Sequence, residues 1–167
     1  MKKIIAIALM LALCLGVLAA CGEPVPTEDN TTIGLELVYG DNTVNVTKSQ
    51  FDAKRTEIKT SDVSLGTSKE YEFTGVTLAD LMEMAGATDC TKIVIWASDG
   101  WSAEVSAEDA KAYKIMITDG YVGGKEIPAD AGGPIKLVFP ASEHPELNDK
   151  YDAWAWQWYV CKVEFVK

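Results

Sequence analysis

Apolar and polar positions alternate from residue 33 onward. Ile33, Leu35, Leu37 and Tyr39 are two apart and share one face of an extended segment. Gly40-Asp41-Asn42 then predicts a turn into a partner strand over residues 43–46, which makes a β-hairpin. Thr47-Lys48-Ser49-Gln50 has the spacing of a capping box, in which the first side chain and the fourth satisfy each other's free N–H groups, so a short helix starts there. Residues 57–59 and 69–73 alternate again and read as strands, with a polar loop over 61–68 between them. Thr77 caps the clearest helix: Leu78, Leu81, Met82 and Ala85 form one apolar stripe, and Gly86 ends it.

The second half reads the same way. Residues 93–97 form a buried strand, and Asp99-Gly100 turns the chain into residues 101–105. Ser106 can cap another short helix, residues 115–117 form a strand, and Gly123-Gly124 marks a hairpin tip. Residues 135–139 form a strand that Pro140 ends, 141–152 read as a polar acidic loop, and 154–166 as the last strand. In that strand Trp154, Trp156 and Trp158 would line one face, either filling a core or stacking on a ligand. Many short strands with two or three short helices predict an α+β domain over residues 33–167.

The N-terminus follows a different pattern. Lys2 and Lys3 precede an apolar run over residues 4–17 that ends in Leu18-Ala19-Ala20-Cys21. This resembles the signal peptide and lipobox of bacterial lipoproteins. The resemblance implies removal of residues 1–20 and lipidation of Cys21, with the chain anchored to a bacterial membrane and facing outside the cytoplasm. An ordinary secretory signal cut near Ala20 is the alternative. Residues 21–32, with Pro24 and Pro26 among polar neighbours, read as a flexible tether.

Charge narrows the choice of partner. The chain carries 25 acidic against 15 basic residues, a formal net charge of −10, and its only arginine is Arg55. Such a surface repels nucleic acid and other phosphate-rich polymers. Cys90 and Cys161 lie outside the signal and the lipobox. They are either a disulfide pair or two separately buried thiols.

Three motifs in order resemble the oxidoreductase molybdopterin-binding domain, the core of sulfite oxidase and its relatives. Gly75-Val76-Thr77-Leu78-Ala79-Asp80-Leu81 with Ala85-Gly86 is similar to its "G-V-x-L-x-D-L-L…A-G" helix, and Ser98-Asp99-Gly100-Trp101 to its "A-D-G-Y/W" turn. The segment from Gly132-Gly133-Pro134 through Phe139-Pro140 is similar to its "G-G-P-x-R-L-V-V-P" strand. The resemblance, over about residues 35–166, implies mixed β-sheets around a pterin cleft, molybdopterin as cofactor and oxidoreductase activity. It also implies that a cysteine thiolate between the first strands and the helix binds molybdenum.

Here that stretch, residues 58–66, contains no cysteine, although soft thiolate is the ligand type that selects such a centre. The strand's arginine is replaced by Lys136, and the "K-W" lysine falls on Gln157 or Trp158. The expectation is therefore a non-catalytic, membrane-anchored relative that holds a small planar or redox-type molecule in an aromatic cleft. The alternatives are an oxidoreductase with an atypical metal ligand and a protein-interaction module. By its place near the family's cofactor edge, the cleft would draw on Asp99, Trp101, Tyr121, Ser142, His144, Trp154, Trp156 and Trp158. Glu143, His144 and Glu146 are irregularly spaced for a metal, with no second histidine, so no metal site and no catalytic residue is assigned.

Overall fold

The computed structural model describes residues 28–167. The expected signal peptide and Cys21 lie outside the described residues. Among the described residues, nine strands form two sheets. In one, β1 (Thr32–Tyr39), β2 (Asn42–Thr47), β5 (Lys92–Ala97), β6 (Ser102–Ser106) and β9 (Val160–Val166) lie in the order β2-β1-β9-β5-β6. In the other, β3 (Thr56–Ser61), β4 (Glu70–Thr77), β7 (Met116–Tyr121) and β8 (Lys136–Val138) lie in the order β3-β4-β7-β8. Only β1 and β9 pair in parallel, so the first sheet is mixed.

The local signals act where the sequence places them. Thr47 accepts from the Gln50 N–H while Gln50 reaches back to the Thr47 N–H, which opens α1 (Lys48–Ala53). Thr77 accepts from the Asp80 N–H at the start of α2 (Leu78–Ala85), and Gly86 closes that helix with φ 70°. Ser106 caps α3 (Ala107–Ala112). The stripe Leu78, Leu81, Met82 and Ala85 is buried in a core shared by both sheets, with Leu37, Phe73, Ile95, Ile117, Leu137 and Val163.

Three expectations change. A fourth helix, α4 (Glu146–Lys150), occupies the segment read as a polar loop, and its Leu147 is buried. Pro145 ahead of it, Glu146 in the first turn and Lys150 in the last are the signals that favour it. The expected tether is held at its end: the Ser49 N–H donates to Asp29 O at 3.1 Å and the Lys48 N–H to Thr31 O at 2.8 Å. The last strand begins at Val160, not at Trp154. Asp152 instead accepts from the N–H groups of Trp154 and Ala155 and starts a 3₁₀ turn over Ala153–Ala155, and Tyr159 takes φ 51°. The two-residue alternation of the tryptophans is therefore not the alternation of a strand.

What these residues form is a seam. The Leu137 N–H donates to Gln157 O and the Val160 N–H to Ile135 O, toward the second sheet, while the Ser98 N–H donates to Tyr159 O in the first. The Tyr159 N–H donates to Gly132 O at 3.0 Å. Residues 157–160 thus tie the two sheets together beside the 98–101 turn.

Candidate functional site

The seam opens into a cavity of about 440 Å³. Asp99 and Trp101 come from the β5–β6 turn, Ser64 from the 3₁₀ turn Val63–Leu65, and Trp154, Gln157, Trp158 and Tyr159 from the seam. The Trp101 and Trp154 rings stand 6.4 Å apart between centroids, tilted 47°, and are 58% and 77% exposed. Trp158 and Tyr159 meet edge to face at 6.1 Å. Asp99 accepts from the Trp101 N–H at 3.1 Å, which holds the turn.

Trp156 is a wall residue of a different kind. It is 1% exposed and packs against Phe139 with centroids 5.5 Å apart. It lines the cavity from the core side, with its ring packed into the interior. Its Nε1 and the Oε1 of Gln157 are both buried without a hydrogen-bond partner. Unpaired polar atoms are costly in a protein interior.

Behind Trp158 lies a fully buried ion pair. The Lys136 ammonium sits 2.5 Å from Asp62 Oδ2, and the two side chains are 0% and 1% exposed. Lys136 also donates to Ser64 Oγ at 2.8 Å and to the Ala131 carbonyl at 3.1 Å. Ser64 in turn donates to Asp62 Oδ1 at 2.6 Å and accepts from Trp158 Nε1 at 2.9 Å. Burial pulls the lysine below its ordinary pKa, while the hydrogen bond to Asp62 pulls it upward. The Trp158 ring lies 5.1 Å from the ammonium, and on its other contact a Cβ added at Gly132 would come within 2.6 Å of Trp158 Cγ. Only glycine leaves room for the indole there, and Gly132 also has φ 93°.

The remaining expected site residues lie elsewhere, and each has a structural task. Tyr121 packs against Tyr71 and Phe73 at centroid distances of 5.7 and 5.2 Å on the second sheet, and burial pushes its pKa up. Ser142 accepts from the Ser61 N–H at 3.0 Å and so pins the segment after β8 to the end of β3. His144 stands edge-on to Tyr113, with Nδ1 3.4 Å from Glu146 Oε1. Neither Ser142 nor His144 lines the cavity, and they do not pair with each other. Among the described residues, no three His, Cys, Asp or Glu side chains gather into a metal-holding group.

Cys90 and Cys161 are free thiols, which corrects the bridge alternative. Lys92 pairs with Val166 at one end of β5, whereas Cys161 lies opposite the Trp96 end. About five residues of strand, or about 17 Å, separate these ends, against a limit of about 7 Å between Cα atoms for a disulfide.

Residues 41–143 match the oxidoreductase molybdopterin binding domain family. The chain belongs to that family. In structure it is similar to the sulfane dehydrogenase SoxCD from Paracoccus pantotrophus, with a TM-score of 0.58 and 13% sequence identity. The match covers 84% of this chain and 39% of that one, so this chain spans about two fifths of that protein's length. The likeness is one of fold: a sulfite oxidase-like, molybdopterin-binding α+β architecture. No curated protein matches the chain in sequence.

The family implies molybdopterin, and the residues of this cavity do not fit it. Among the described residues no cysteine lines the cavity, and Cys90 and Cys161 lie at opposite ends of the β5–β9 pair. The stretch where the sequence resemblance implies a thiolate, residues 58–66, presents Asp62 and Ser64, both already engaged. A phosphate wants several cationic donors. The three protons of Lys136 are directed to Asp62, Ser64 and Ala131, and none is left for an anion. Sequence reasoning missed this pairing of Asp62 with Lys136, and also Ser64, Gln157 and Tyr159 as wall residues. The absence of cysteine from 58–66 was the one signal that pointed to that stretch.

Proposed function

We propose that this protein is a membrane-anchored, extracytoplasmic lipoprotein whose molybdopterin-binding-like domain is non-catalytic and holds a small flat molecule in its aromatic cleft. The observation that supports this reading is the buried Lys136–Asp62–Ser64 cluster behind Trp158, whose groups satisfy one another and leave no free cation or thiolate beside the cleft. The wall that remains accessible is made of indoles and a phenol, surfaces suited to stacking on a planar ring. The lipobox ending at Cys21 motivates the anchor.

The test is to purify the lipidated protein from its native membranes, release bound molecules by denaturation, and identify them by mass spectrometry. The reading predicts one planar organic molecule per chain, lost from the Trp158→Ala variant, and a Cys21→Ala chain that leaves the membrane or is not processed. A chain that carries no small molecule contradicts the cleft reading. A Cys21→Ala chain cleaved and membrane-bound as before contradicts the anchor. The exposure of Trp101 and Trp154 favours a second reading, a protein-docking face, which predicts a co-purifying protein instead.

A further inference from the structure

Resting on the reading of the cleft as a ligand site, we propose that its ligand is an organic cation, with the positive charge on a methylated or ring nitrogen. Among the described residues the cavity wall combines aromatic rings with one carboxylate, Asp99, and contains no lysine, arginine or histidine. Trp101, Trp154, Trp158 and Tyr159 come from two separate segments and converge on the same space. Ring faces carry negative potential, and a cation within about 6 Å of a ring centroid is attracted to it, most strongly over Trp. Trp158 already contacts a cation in this way, since the Lys136 ammonium lies 5.1 Å from its ring. Asp62 balances that ammonium at 2.5 Å, so Lys136 brings no net charge to the cleft.

Asp99 adds a full negative charge to the partial one that the ring faces present. Its Oδ1 accepts from the Trp101 N–H, and among the described residues no lysine or arginine pairs with it. Other carboxylates of the surface do have such partners, as Asp52 has Lys48 and Arg55. The formal net charge of −10 adds a field of the same sign. An anion would meet that field, the Asp99 carboxylate and the ring faces together. A neutral ring would gain the stacking but nothing from Asp99.

The experiment uses three flat molecules of nearly one shape: 1-methylpyridinium, its neutral isostere toluene, and benzoate. Each is titrated into the full lipidated chain in detergent, following the tryptophan indole N–H signals by NMR. 1-Methylpyridinium is expected to bind about tenfold more tightly than toluene, and benzoate most weakly. Asp99→Asn keeps an oxygen that can accept from the Trp101 N–H, so the turn is preserved. It is expected to lower the cation-to-toluene ratio several-fold, to the part that the rings alone supply. Equal or tighter binding of toluene or benzoate overturns the cation assignment and leaves the cleft reading standing. An unchanged ratio in the folded Asp99→Asn chain does the same. Silence toward all three overturns the cleft reading and this inference with it.

Discussion

The Lys136 ammonium lies 2.5 Å from Asp62 Oδ2 with both side chains cut off from solvent. Such a pair contributes little net stability when intact, because desolvation offsets its attraction, yet breaking it strands a buried charge. Lys136→Ala is expected to cost about 3–5 kcal/mol in urea unfolding. Replacing both partners together, Lys136→Met with Asp62→Leu, is expected to restore most of that loss. A single variant as stable as the parent would show that the pair is not buried.

The tryptophans divide by exposure rather than by spacing. Trp154 is 77% exposed, so Trp154→Ala is expected to change stability by no more than about 0.5 kcal/mol. Trp156 is 1% exposed against Phe139, so Trp156→Ala is expected to cost about 3–5 kcal/mol. Equilibrium denaturation of the two variants checks both values, and similar losses for the two would contradict the seam geometry.

Stability should fall at both ends of the pH scale through one cluster. Asp109 receives hydrogen bonds from Tyr151 and, at 2.5 Å, from Lys150, which joins α3 to the end of α4. Burial raises its carboxyl pKa, but the hydrogen bonds from Lys150, Tyr151 and Ser106 outweigh it, and the net shift is downward. Burial and then the Asp109 bond push Tyr151 up, and the Asp109 bond raises Lys150. The Asp109 contribution is therefore present above its unfolded value of 3.8 and lost as pH falls through the lowered folded value. The Tyr151 and Lys150 contributions are present below 10.0 and 10.5 and lost as pH rises through the raised folded values. Asp109→Asn should flatten both limbs of a plot of urea midpoint against pH.

Reductant should leave the melting temperature unchanged, because Cys90 and Cys161 are not bridged. Burial pushes the Cys90 thiol up, and Cys161 is less buried, with its thiol donating to the Trp96 carbonyl at 3.6 Å. Alkylation of the native chain is expected to mark Cys161 before Cys90. A mass two hydrogens lower under non-reducing conditions would contradict the register of β5 on β9.

The parts of the fold that were legible in the sequence are those fixed by neighbours along the chain. The Thr47 capping box, the Thr77 cap with its apolar stripe and the Gly86 terminator each depend on residues a few positions apart, and each stands where the sequence places it. The seam was misread because its spacing matches a strand while Asp152 and the contacts of residues 157–160 with both sheets decide otherwise. α4 was missed because Glu146, Asn148, Asp149 and Lys150 obscured the single buried Leu147. Order in the chain was enough to place five of the expected residues around one cavity: Asp99, Trp101, Trp154, Trp156 and Trp158. Tyr121, Ser142 and His144 do not, since their positions follow from long-range packing that no local pattern carries. The Lys136–Asp62 contact joins residues 74 apart and was invisible for the same reason.

The most direct test of the central claim is the molybdenum content of protein purified from its native host, measured by elemental analysis against protein concentration. A cleft beside which Lys136 is consumed by Asp62, Ser64 and Ala131, and whose wall among the described residues offers no sulfur, predicts molybdenum far below one atom per chain. One tightly held atom per chain, lost on replacing Asp62 or Cys161, would contradict the account and make the domain a molybdopterin oxidoreductase.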